Sequence, residues 1–338
     1  MPSTKEVKLE LGQRVATISQ PRFLDAWVRP CLGAEAGEPG RWEARIVQLD
    51  GTGAATVELR ADGGPRLFAK LYPDESGLAI FQKLLDLRAA GLGCGERYQA
   101  VEPLAFFPEY GMLVTRAAEG VAVSEHIGGD EEALLRGVRE AALWLARLHT
   151  LPVRFGSPQS LLSSGELLSL ARRLVKVVVQ RPGHKKLALE MIRALEEVAE
   201  TTREGLLVQS HGQYRPIHVF VSDERVTVID LDRSRPCDPA RDVAEFVHRL
   251  RMGMFWHGGA ISRADRPTAL FLQTYQEAVG EPSHLANLRF HWARYIFHSL
   301  NNKLKGGGEE GPDGQEVEAT VEFYRSEFQD VLKGRLLP

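Results

Sequence analysis

Residues able to do chemistry are concentrated between Ser210 and Phe246. Two acidic residues in this stretch, Asp230 and Asp232, directly follow an apolar run that predicts a short β-strand. A carboxylate at a strand end offers the oxygen ligand that a hard cation such as Mg²⁺ prefers, and Asp230 is the best candidate. Asp232 is either a second metal contact or a residue that orients Asp230. The alternative for Asp230 is a carboxylate that caps a local turn.

The chain before this stretch is predicted to fold largely as β-strands. Runs rich in β-branched and aromatic residues alternate with glycine-containing turns, a pattern typical of hairpins. One helical stretch interrupts them, because its apolar residues recur at helical spacing. In chain order, the predicted elements are strands Arg41–Leu49, Ala55–Arg60 and Arg66–Tyr72, a helix Gly77–Leu92, and strands Gln99–Phe106 and Gly111–Thr115.

From Asp130 onward the pattern changes to that of helices. Between Asp130 and His149, apolar residues fall on one helix face, and Asp130 is a suitable N-cap. Helical periodicity then continues to the end of the chain. The exception is a predicted hairpin with strands at His218–Val221 and Val226–Ile229.

These elements predict an α+β protein of two lobes. The first lobe, residues 1–116, is a small antiparallel sheet with one helix, and the second, residues 117–338, is larger and mainly helical. The second lobe also holds the predicted loop and hairpin at 206–232. Ligands commonly bind where two such parts of a protein meet, so we expect the ligand in the cleft between the lobes.

The composition is that of a soluble globular protein in a reducing compartment. Of 338 residues, 43% are hydrophobic and 26% charged, and the net charge is −3, without the basic excess of nucleic-acid-binding proteins. Three scattered cysteines indicate neither a disulfide framework nor a zinc site. No run approaches the roughly 18 apolar residues of a membrane span, and no signal-peptide pattern opens the chain. We therefore expect a cytoplasmic protein with no nucleic-acid and no membrane partner.

The stretch from Ser210 to Phe246 resembles the aminoglycoside phosphotransferase and choline kinase family, relatives of the protein kinases. The family signature is H-G-D-x-x-x-x-N, a hairpin, I-D-x-[DE], and then G-D-P-x-x-D-[LV]-A. The present chain has His211-Gly212, Ile229-Asp230-Leu231-Asp232 and Asp238-Pro239-Ala240-Arg241-Asp242-Val243-Ala244 in the same order and near that spacing. The resemblance implies a bilobal protein-kinase-like fold that binds ATP, or another nucleoside triphosphate, with Mg²⁺ or Mn²⁺.

The resemblance also implies which residues contact the nucleotide. Lys70, a polar residue inside an apolar strand, corresponds to the lysine that reaches the α- and β-phosphates in kinase-like lobes. Taken alone, such a lysine usually faces solvent. Further candidate contacts are Gly51 and Gly53, in a turn that covers the phosphates or is a plain hairpin turn, and Val114 and Arg116.

Two substitutions separate this chain from the family signature. Gln213 stands at the position of the catalytic aspartate, and His218 at that of the metal-binding asparagine. An amide cannot accept the hydroxyl proton of a substrate, so Gln213 can only orient a group by hydrogen bonding. His218 either ligates a metal, with Mn²⁺ or Zn²⁺ favoured over Mg²⁺, or stays a neutral histidine bonded within its loop. General-base help is worth about 10²–10⁴-fold, so loss of the base predicts a slow enzyme or a non-enzyme that still binds nucleotide.

The resemblance gives the remaining residues supporting roles. His211 is expected to brace the catalytic loop, and it joins Gln213 and Asp230 in the predicted catalytic set. Asp242 is expected to hold that loop by accepting its backbone N–H groups. The glutamate that usually pairs with the phosphate-binding lysine is not evident, because Gln82 stands near its place.

Recognition of the second substrate is predicted from the helical lobe. The residues that share one helix face there are aromatic and mildly basic, whereas a polycationic antibiotic would need an acidic pocket. This favours a neutral or anionic hydroxylated small molecule, although an aromatic helix face is also typical of core packing. The residues are His291, Tyr295, His298 and Asn302.

Three functions remain open on the sequence. The first is an ATP- and metal-binding phosphotransferase that acts on a hydroxylated small molecule. The second is a pseudokinase that binds nucleotide, or none, and regulates or scaffolds a protein partner. The third is nucleotidyl transfer from the same cleft.

Overall fold

A computed structural model describes residues 4–36, 42–49, 54–61, 64–161, 164–202, 205–257, 261–306 and 312–336. The chain divides into two compact units. The first unit comprises Met1–Gly120 together with Ser222–Leu231, and the second comprises Val121–Val221 and Asp232–Pro338. The predicted boundary after residue 116 stays a prediction.

Helices and strands of the described residues are numbered in chain order. The helices are α1 (Thr4–Ile18), α2 (Pro21–Phe23), α3 (Ser76–Leu87), α4 (Glu131–Thr150), α5 (Ser164–Gln180), α6 (Lys185–Ala199), α7 (Ala240–Trp256), α8 (Asp265–Val279), α9 (Leu288–Gly306) and α10 (Pro312–Leu332). The strands are β1 (Trp42–Leu49), β2 (Ala55–Ala61), β3 (Arg66–Leu71), β4 (Tyr98–Ala100), β5 (Pro103–Phe107), β6 (Met112–Arg116), β7 (Val121–Ala122), β8 (Val208–Ser210), β9 (Val219–Val221), β10 (Val226–Val228) and β11 (Arg235–Cys237).

The first unit is built on an antiparallel five-stranded sheet in the order β1-β2-β3-β6-β5. Alternate residues of β2 and β3, including Val57, Leu59 and Ala69, are buried in its apolar core. This follows from the period of two along a strand, which places every second side chain on the same face. Lys70 lies on the opposite face of β3, in register with Thr56 on β2 and Leu113 on β6.

Helix α1 covers part of this sheet and was not predicted from the sequence. Leu11, Val15 and Ile18 recur at helical spacing and are buried in the same core as the strands. Arg14 fixes the helix to the sheet, because its guanidinium donates hydrogen bonds to the Tyr72 carbonyl at 2.9 Å and the Tyr110 carbonyl at 3.0 Å.

A second strand pair brings residues 222–231 into the first unit. Strand β10 runs parallel to β4, with Val228 opposite Ala100. The Val101 N–H donates to the Val228 carbonyl at 2.9 Å, and the Val226 N–H donates to the Arg97 carbonyl at 2.8 Å. These backbone bonds fix the strand that ends just before Asp230.

The second unit is mainly helical. Helix α4 packs against α8, while α7 and α5 both pack against α9. Asp130 caps α4, since its carboxylate accepts a hydrogen bond from the Ala133 N–H at 3.1 Å, as the sequence predicted. Two short antiparallel pairs, β8 with β11 and β7 with β9, complete this unit. Among the described helices, none is long and apolar enough to cross a bilayer.

The α+β class, with an antiparallel sheet followed by a mostly helical remainder, is confirmed. Two predicted elements need correction. The single strand predicted at Gln99–Phe106 is two strands, β4 and β5, which belong to different sheets. The helix predicted to Leu92 ends as α3 at Leu87 and continues as one wider turn, Arg88–Leu92, where Gly91 has a positive φ of 120°. Such a φ is incompatible with an α-helix but open to glycine.

Candidate active site

Lys70 and Asp230 form an ion pair within the first unit. The Lys70 Nζ lies 2.9 Å from the Asp230 Oδ1, and each side chain is 29% exposed. The β3 ladder fixes the backbone of Lys70 on both sides. Its Nζ also lies 5.7 Å from the centre of the Tyr72 ring, a cation–π contact. The structure therefore brings together the two residues that the sequence assigned to phosphates and metal.

Asp230 has a backbone conformation that is uncommon for its residue type. Its φ is 63°, and among the described residues it is the one non-glycine with a positive φ. Aspartate tolerates this region better than most residues, but the conformation persists only where the surrounding structure holds it. Strained backbone of this kind is enriched at functional sites.

Gly212 lies in the second unit, in a loop that only glycine can form. Its φ is 82°, and a Cβ at this position would clash with the Arg233 carbonyl oxygen. The neighbouring His211 is fully buried. The loop therefore packs directly on the backbone of Arg233, which ends the turn that contains Asp232.

Asp242 holds this loop from helix α7. Its carboxylate accepts hydrogen bonds from the backbone N–H of His211 at 2.6 Å and of Gly212 at 2.9 Å. The His149 Nε2 lies 3.3 Å from the same carboxylate, and its Nδ1 lies 2.6 Å from the Tyr275 hydroxyl. Complete burial acts to raise the pKa of Asp242, but the hydrogen bond from His149 and the neighbouring imidazoles outweigh it, so the pKa lies below its ordinary value.

Gln213 is held by an arginine that sequence reasoning missed. With its amide oxygen turned toward Arg215, it accepts hydrogen bonds from Nη1 at 3.0 Å and Nη2 at 2.6 Å. Arg215 in turn donates from Nε to the buried carboxylate of Glu245 at 2.7 Å. Gln213 is thus part of a polar network that orients its side chain.

His218 closes the same loop. Its Nδ1 lies 3.0 Å from the Gln213 carbonyl oxygen, so Nδ1 carries the proton and donates. Its ring stacks on His211, with centroids 5.7 Å apart and an angle of 12° between the planes. This tautomer leaves Nε2 as the nitrogen with a lone pair, the atom through which a metal would be held.

Among the described residues, no three His, Cys, Asp or Glu side chains converge as a metal-binding group. Asp232 lies half-buried in the turn Leu231–Arg233. Magnesium in nucleotide sites is typically held by one or two carboxylates together with phosphates and water. The carboxylates of Asp230 and Asp232 are hard oxygen donors and suit that ion or Mn²⁺, and the imidazole of His218 suits Mn²⁺ better.

The other predicted nucleotide contacts, Val114, Arg116, Gly51 and Gly53, stay predictions. Val114 is fully buried in the core of the first unit, so its side chain packs the sheet and exposes nothing to a ligand. Arg116 donates to Glu102 at 2.7 Å and to Glu35 at 2.8 Å. The positions of Gly51 and Gly53 lie outside the described residues.

Gln82, which stands near the expected place of a glutamate partner for Lys70, makes a bond within its own helix. Its Nε2 donates to the Asp86 Oδ1 at 2.9 Å, one helical turn away. In the structure, Lys70 pairs with the carboxylate of Asp230.

The predicted substrate face of α9 is largely a packed face. His291 is buried beside Asp238, and the buried Tyr295 donates from its hydroxyl to Glu245 at 3.0 Å. His298 is half-buried, and Asn302 is exposed and accepts from Arg173 at 3.0 Å. Arginines on α5, α7 and α9 surround this face, and sequence reasoning overlooked them. A signal was present, because Arg241, Glu245 and Arg249 recur every four residues along α7.

Solved structures with this fold are small-molecule kinases and phosphotransferases. Choline kinase from Cryptosporidium parvum Iowa II superposes with a TM-score of 0.62 and 11% identity, covering 94% of this chain and 98% of that one. A choline/ethanolamine kinase family protein from Mesorhizobium loti gives a TM-score of 0.57 and 16% identity over 93% and 100%. Aminoglycoside-3'-phosphotransferase of type VIII gives 0.52 and 22% over 81% and 98%. At these identities the likeness establishes the protein-kinase-like fold.

The family follows from the sequence itself. The family model described as the phosphotransferase enzyme family matches residues 45–291, well over half of the chain. The chain belongs to this phosphotransferase family. No curated protein matches it at a significant level.

Proposed function

We propose that this protein binds a nucleoside triphosphate with a divalent metal and transfers the terminal phosphoryl group to a hydroxyl of a small molecule. The ion pair between Lys70 and Asp230 carries the proposal. A metal–triphosphate complex presents both complementary charges, so the phosphates would take Lys70 as their partner and the metal would take Asp230. Membership in the phosphotransferase family supports the same reading.

The donor chemistry of the chain fits such a metal. Asp230 and Asp232 would supply oxygen ligands, and His218 a nitrogen ligand if the metal is Mn²⁺. A bound metal neutralises the charge that develops on the phosphoryl oxygens. Lys70 would add a fixed positive charge to the phosphates, and the loop held by Asp242 would position Gln213.

Gln213 makes the transfer slow in this proposal. The acceptor oxygen forms a bond to the γ-phosphorus, the bond to the bridging oxygen breaks, and the nucleoside diphosphate leaves. The hydroxyl proton cannot pass to an amide, so it goes to a phosphate oxygen or to water. Since a general base contributes about 10²–10⁴-fold, most of the rate would rest on positioning and charge.

A specific observation also favours the pseudokinase. The amide oxygen of Gln213 is engaged by Arg215, which is itself anchored on Glu245, so the loop has its own closed network. In that reading the nucleotide, if bound, would act as a ligand that stabilises one conformation for a protein partner. Nucleotidyl transfer is the third possibility, and its products differ from those of phosphoryl transfer.

Thermal melts test the nucleotide step first. ATP with Mg²⁺ or Mn²⁺ at a hundred times its Kd should stabilise the wild-type protein by about 2.7 kcal/mol. Asp230→Asn should lose the metal-dependent part, whereas the matched variant Asp223→Asn, at an exposed site in the same segment, should keep it. No stabilisation by any nucleoside triphosphate, with or without metal, would contradict the proposal.

Product analysis then separates the functions. Phosphoryl transfer yields nucleoside diphosphate and a phosphate ester, and nucleotidyl transfer yields pyrophosphate. Binding of ATP without either product, over a panel of hydroxylated acceptors, would support the pseudokinase instead.

A further inference from the structure

Helices α5, α7 and α9 of the second unit gather more arginines than carboxylates. Arg241 donates to Glu166 at 2.8 Å, and Arg294 donates to the other oxygen of Glu166. Arg249 lies 4.0 Å from Glu245, which Arg215 already engages at 2.7 Å. Arg173 on α5 donates from Nη1 to the Asn302 Oδ1 on α9 at 3.0 Å. We define the arginine cluster as Arg173, Arg241, Arg249 and Arg294.

The carboxylates nearby do not neutralise this cluster. Glu166 accepts hydrogen bonds from two arginines of the cluster. Glu245 also accepts hydrogen bonds from Arg215 and from the Tyr295 hydroxyl. Asp238 and Asp242 have other partners, Asn287 and the His211 loop respectively. The cluster therefore keeps an excess of positive charge inside the protein, where charge is costly unless a counter-ion is present.

Buried donors in the cluster point to a missing acceptor. Within the described part of the chain, the buried Nε atoms of all four arginines make no hydrogen bond, and neither does the Nε2 of His298. Arg294 itself is only 2% exposed. Buried polar groups in folded proteins are almost always satisfied by protein, ordered water, an ion or a ligand, so these four Nε donors are available to acceptor oxygens from outside the chain.

Electrostatics differ along the cluster. Burial acts to lower the pKa of Arg241, but nearby groups that include Glu166 and Asp242 outweigh it and raise that pKa, whereas at Arg173 and His298 the neighbouring cations add to the effect of burial. Burial, followed by the charge of Arg294, lowers the pKa of Arg173. Burial, followed by the charges of Arg294 and Arg173, lowers the pKa of His298 to about 2, so this imidazole is neutral. The cations repel one another, and an anion among them would relieve that repulsion.

The cluster is accessible, and it adjoins the Gln213 loop. Arg249 is 29% exposed along its side chain, and Arg173 and His298 are partly exposed. Glu245 links Arg249 to Arg215, which donates to Gln213. A small molecule whose anionic group lies in the cluster would thus have its remaining atoms near the predicted transfer position.

We propose that the arginine cluster binds the anionic group, a carboxylate or a phosphate, of a hydroxylated acceptor whose hydroxyl is phosphorylated at the Gln213 loop. This rests on the proposed function. Arginine is suited to the role, because its planar guanidinium recognises both anions with paired N–H donors. A polycationic aminoglycoside would be repelled by the same charges.

Binding can be measured without any nucleotide. Calorimetric titration of the full chain would use glycerol 3-phosphate, glycerate and inorganic phosphate as probes, with glycerol as the neutral counterpart. We expect at least one of the anions to bind and glycerol not to bind. Tighter binding of glycerol 3-phosphate than of glycerate would assign a phosphate-bearing acceptor, and the reverse a carboxylate.

Two cluster variants and one matched control make the test specific. Arg249→Gln and Arg173→Gln should each weaken anion binding at least tenfold. The control Arg266→Gln, which replaces an exposed arginine paired with Glu131, should leave anion binding unchanged. The bound anion should also shift the NMR signals of the His298 ring at neutral pH, and it should not do so in Arg249→Gln or Arg173→Gln. Equal affinities in the cluster variants and the control, or no anion binding by the wild type, would overturn the assignment.

Failure of this assignment is distinguishable from failure of the proposed function. Suppose that the anion still binds to Asp230→Asn but that the wild type transfers no phosphate from ATP. That result would support the anion site and contradict the proposed phosphotransferase activity. Transfer to neutral acceptors alone, with no anion bound, would keep the phosphotransferase and reject the anion site.

Discussion

The Lys70 ammonium and the Asp230 carboxylate, 160 residues apart in the chain, meet at 2.9 Å within the first unit. Strand β3 presents the lysine and strand β10 leads to the aspartate. Both groups are partly exposed, so the pair itself contributes little to stability, under about 1 kcal/mol. In the proposed function, it keeps two opposite charges ready for a metal–triphosphate ligand.

Lys70→Met should remove most of the stabilisation that ATP gives while leaving the fold intact. The methionine fills a similar space, but no ammonium remains for the phosphates. Thermal melts with and without ATP measure the effect, with Lys176→Met on the exposed side of α5 as the control. Equal ATP stabilisation of both variants would show that Lys70 does not contact the phosphates.

Gln213→Asp should raise turnover, but by the lower part of the roughly 10²–10⁴-fold range of general-base catalysis. The new carboxylate would face the Arg215 guanidinium, which now donates to the Gln213 amide oxygen. That pairing would lower its pKa and weaken it as a base. Rates of nucleoside diphosphate formation measure the gain, and Gln213→Asn, which keeps an amide, should show none. No gain in Gln213→Asp, with ATP still bound, would favour the pseudokinase.

Gly212→Ala should destabilise the protein by about 2–4 kcal/mol, from a positive φ and a clash with the Arg233 carbonyl. Urea unfolding measures the change. Gly183→Ala is the matched control, because its added methyl meets no atom within 4 Å and its φ is not positive. A Gly212 variant as stable as this control would show that the loop has another conformation in solution.

Asp242→Asn should cost about 3 kcal/mol of unfolding free energy at neutral pH, because two backbone donors and His149 lose a buried carboxylate. The pKa of Asp242 is lowered in the folded state, so its ionised form stabilises the protein above the unfolded pKa of about 4. This contribution is lost as the pH falls through the lower, folded pKa.

The difference between wild type and Asp242→Asn should accordingly shrink below about pH 4 in urea unfolding measured against pH. The exposed Asp223→Asn should follow the wild type throughout. A difference that stays constant down to the acid transition would mean that the carboxylate charge is not what holds the His211 loop.

The strands and helices that surround the site could be predicted well from the sequence. Alternation of apolar and polar residues predicted β2 and β3. Apolar residues spaced by four and three positions, after an acidic N-cap, predicted α4. Helix α1 escaped notice, although Leu11, Val15 and Ile18 carry the helical period. The split of β4 from β5 could not be predicted, because neighbouring residues give no sign that they pair in different sheets.

The candidate site was predictable only where motifs carry it. The order of the motifs pointed to Lys70, Asp230 and Asp242, but the partner of Gln213 could not be found in this way. Arg215 lies two residues further on, and its role depends on Glu245, thirty residues away, which anchors it. Long-range pairing of polar side chains leaves no periodic pattern in the sequence. For the same reason, the arginine cluster could not be predicted. The side chain of Val114 is buried in the core of the first unit, as is usual for an apolar strand residue, and its predicted contact with the nucleotide stays a prediction.

The most direct test of the central proposal is to follow ATP by ³¹P NMR with Mg²⁺ and a panel of hydroxylated acceptors, in the presence of wild type, Asp230→Asn or Asp223→Asn. We expect wild type and Asp223→Asn to convert ATP slowly into ADP and a new phosphate ester, and Asp230→Asn to leave ATP unchanged. Equal conversion by wild type and Asp230→Asn, or no ATP binding by the wild type, would contradict the assignment of this chain as a metal-dependent phosphotransferase that uses Asp230.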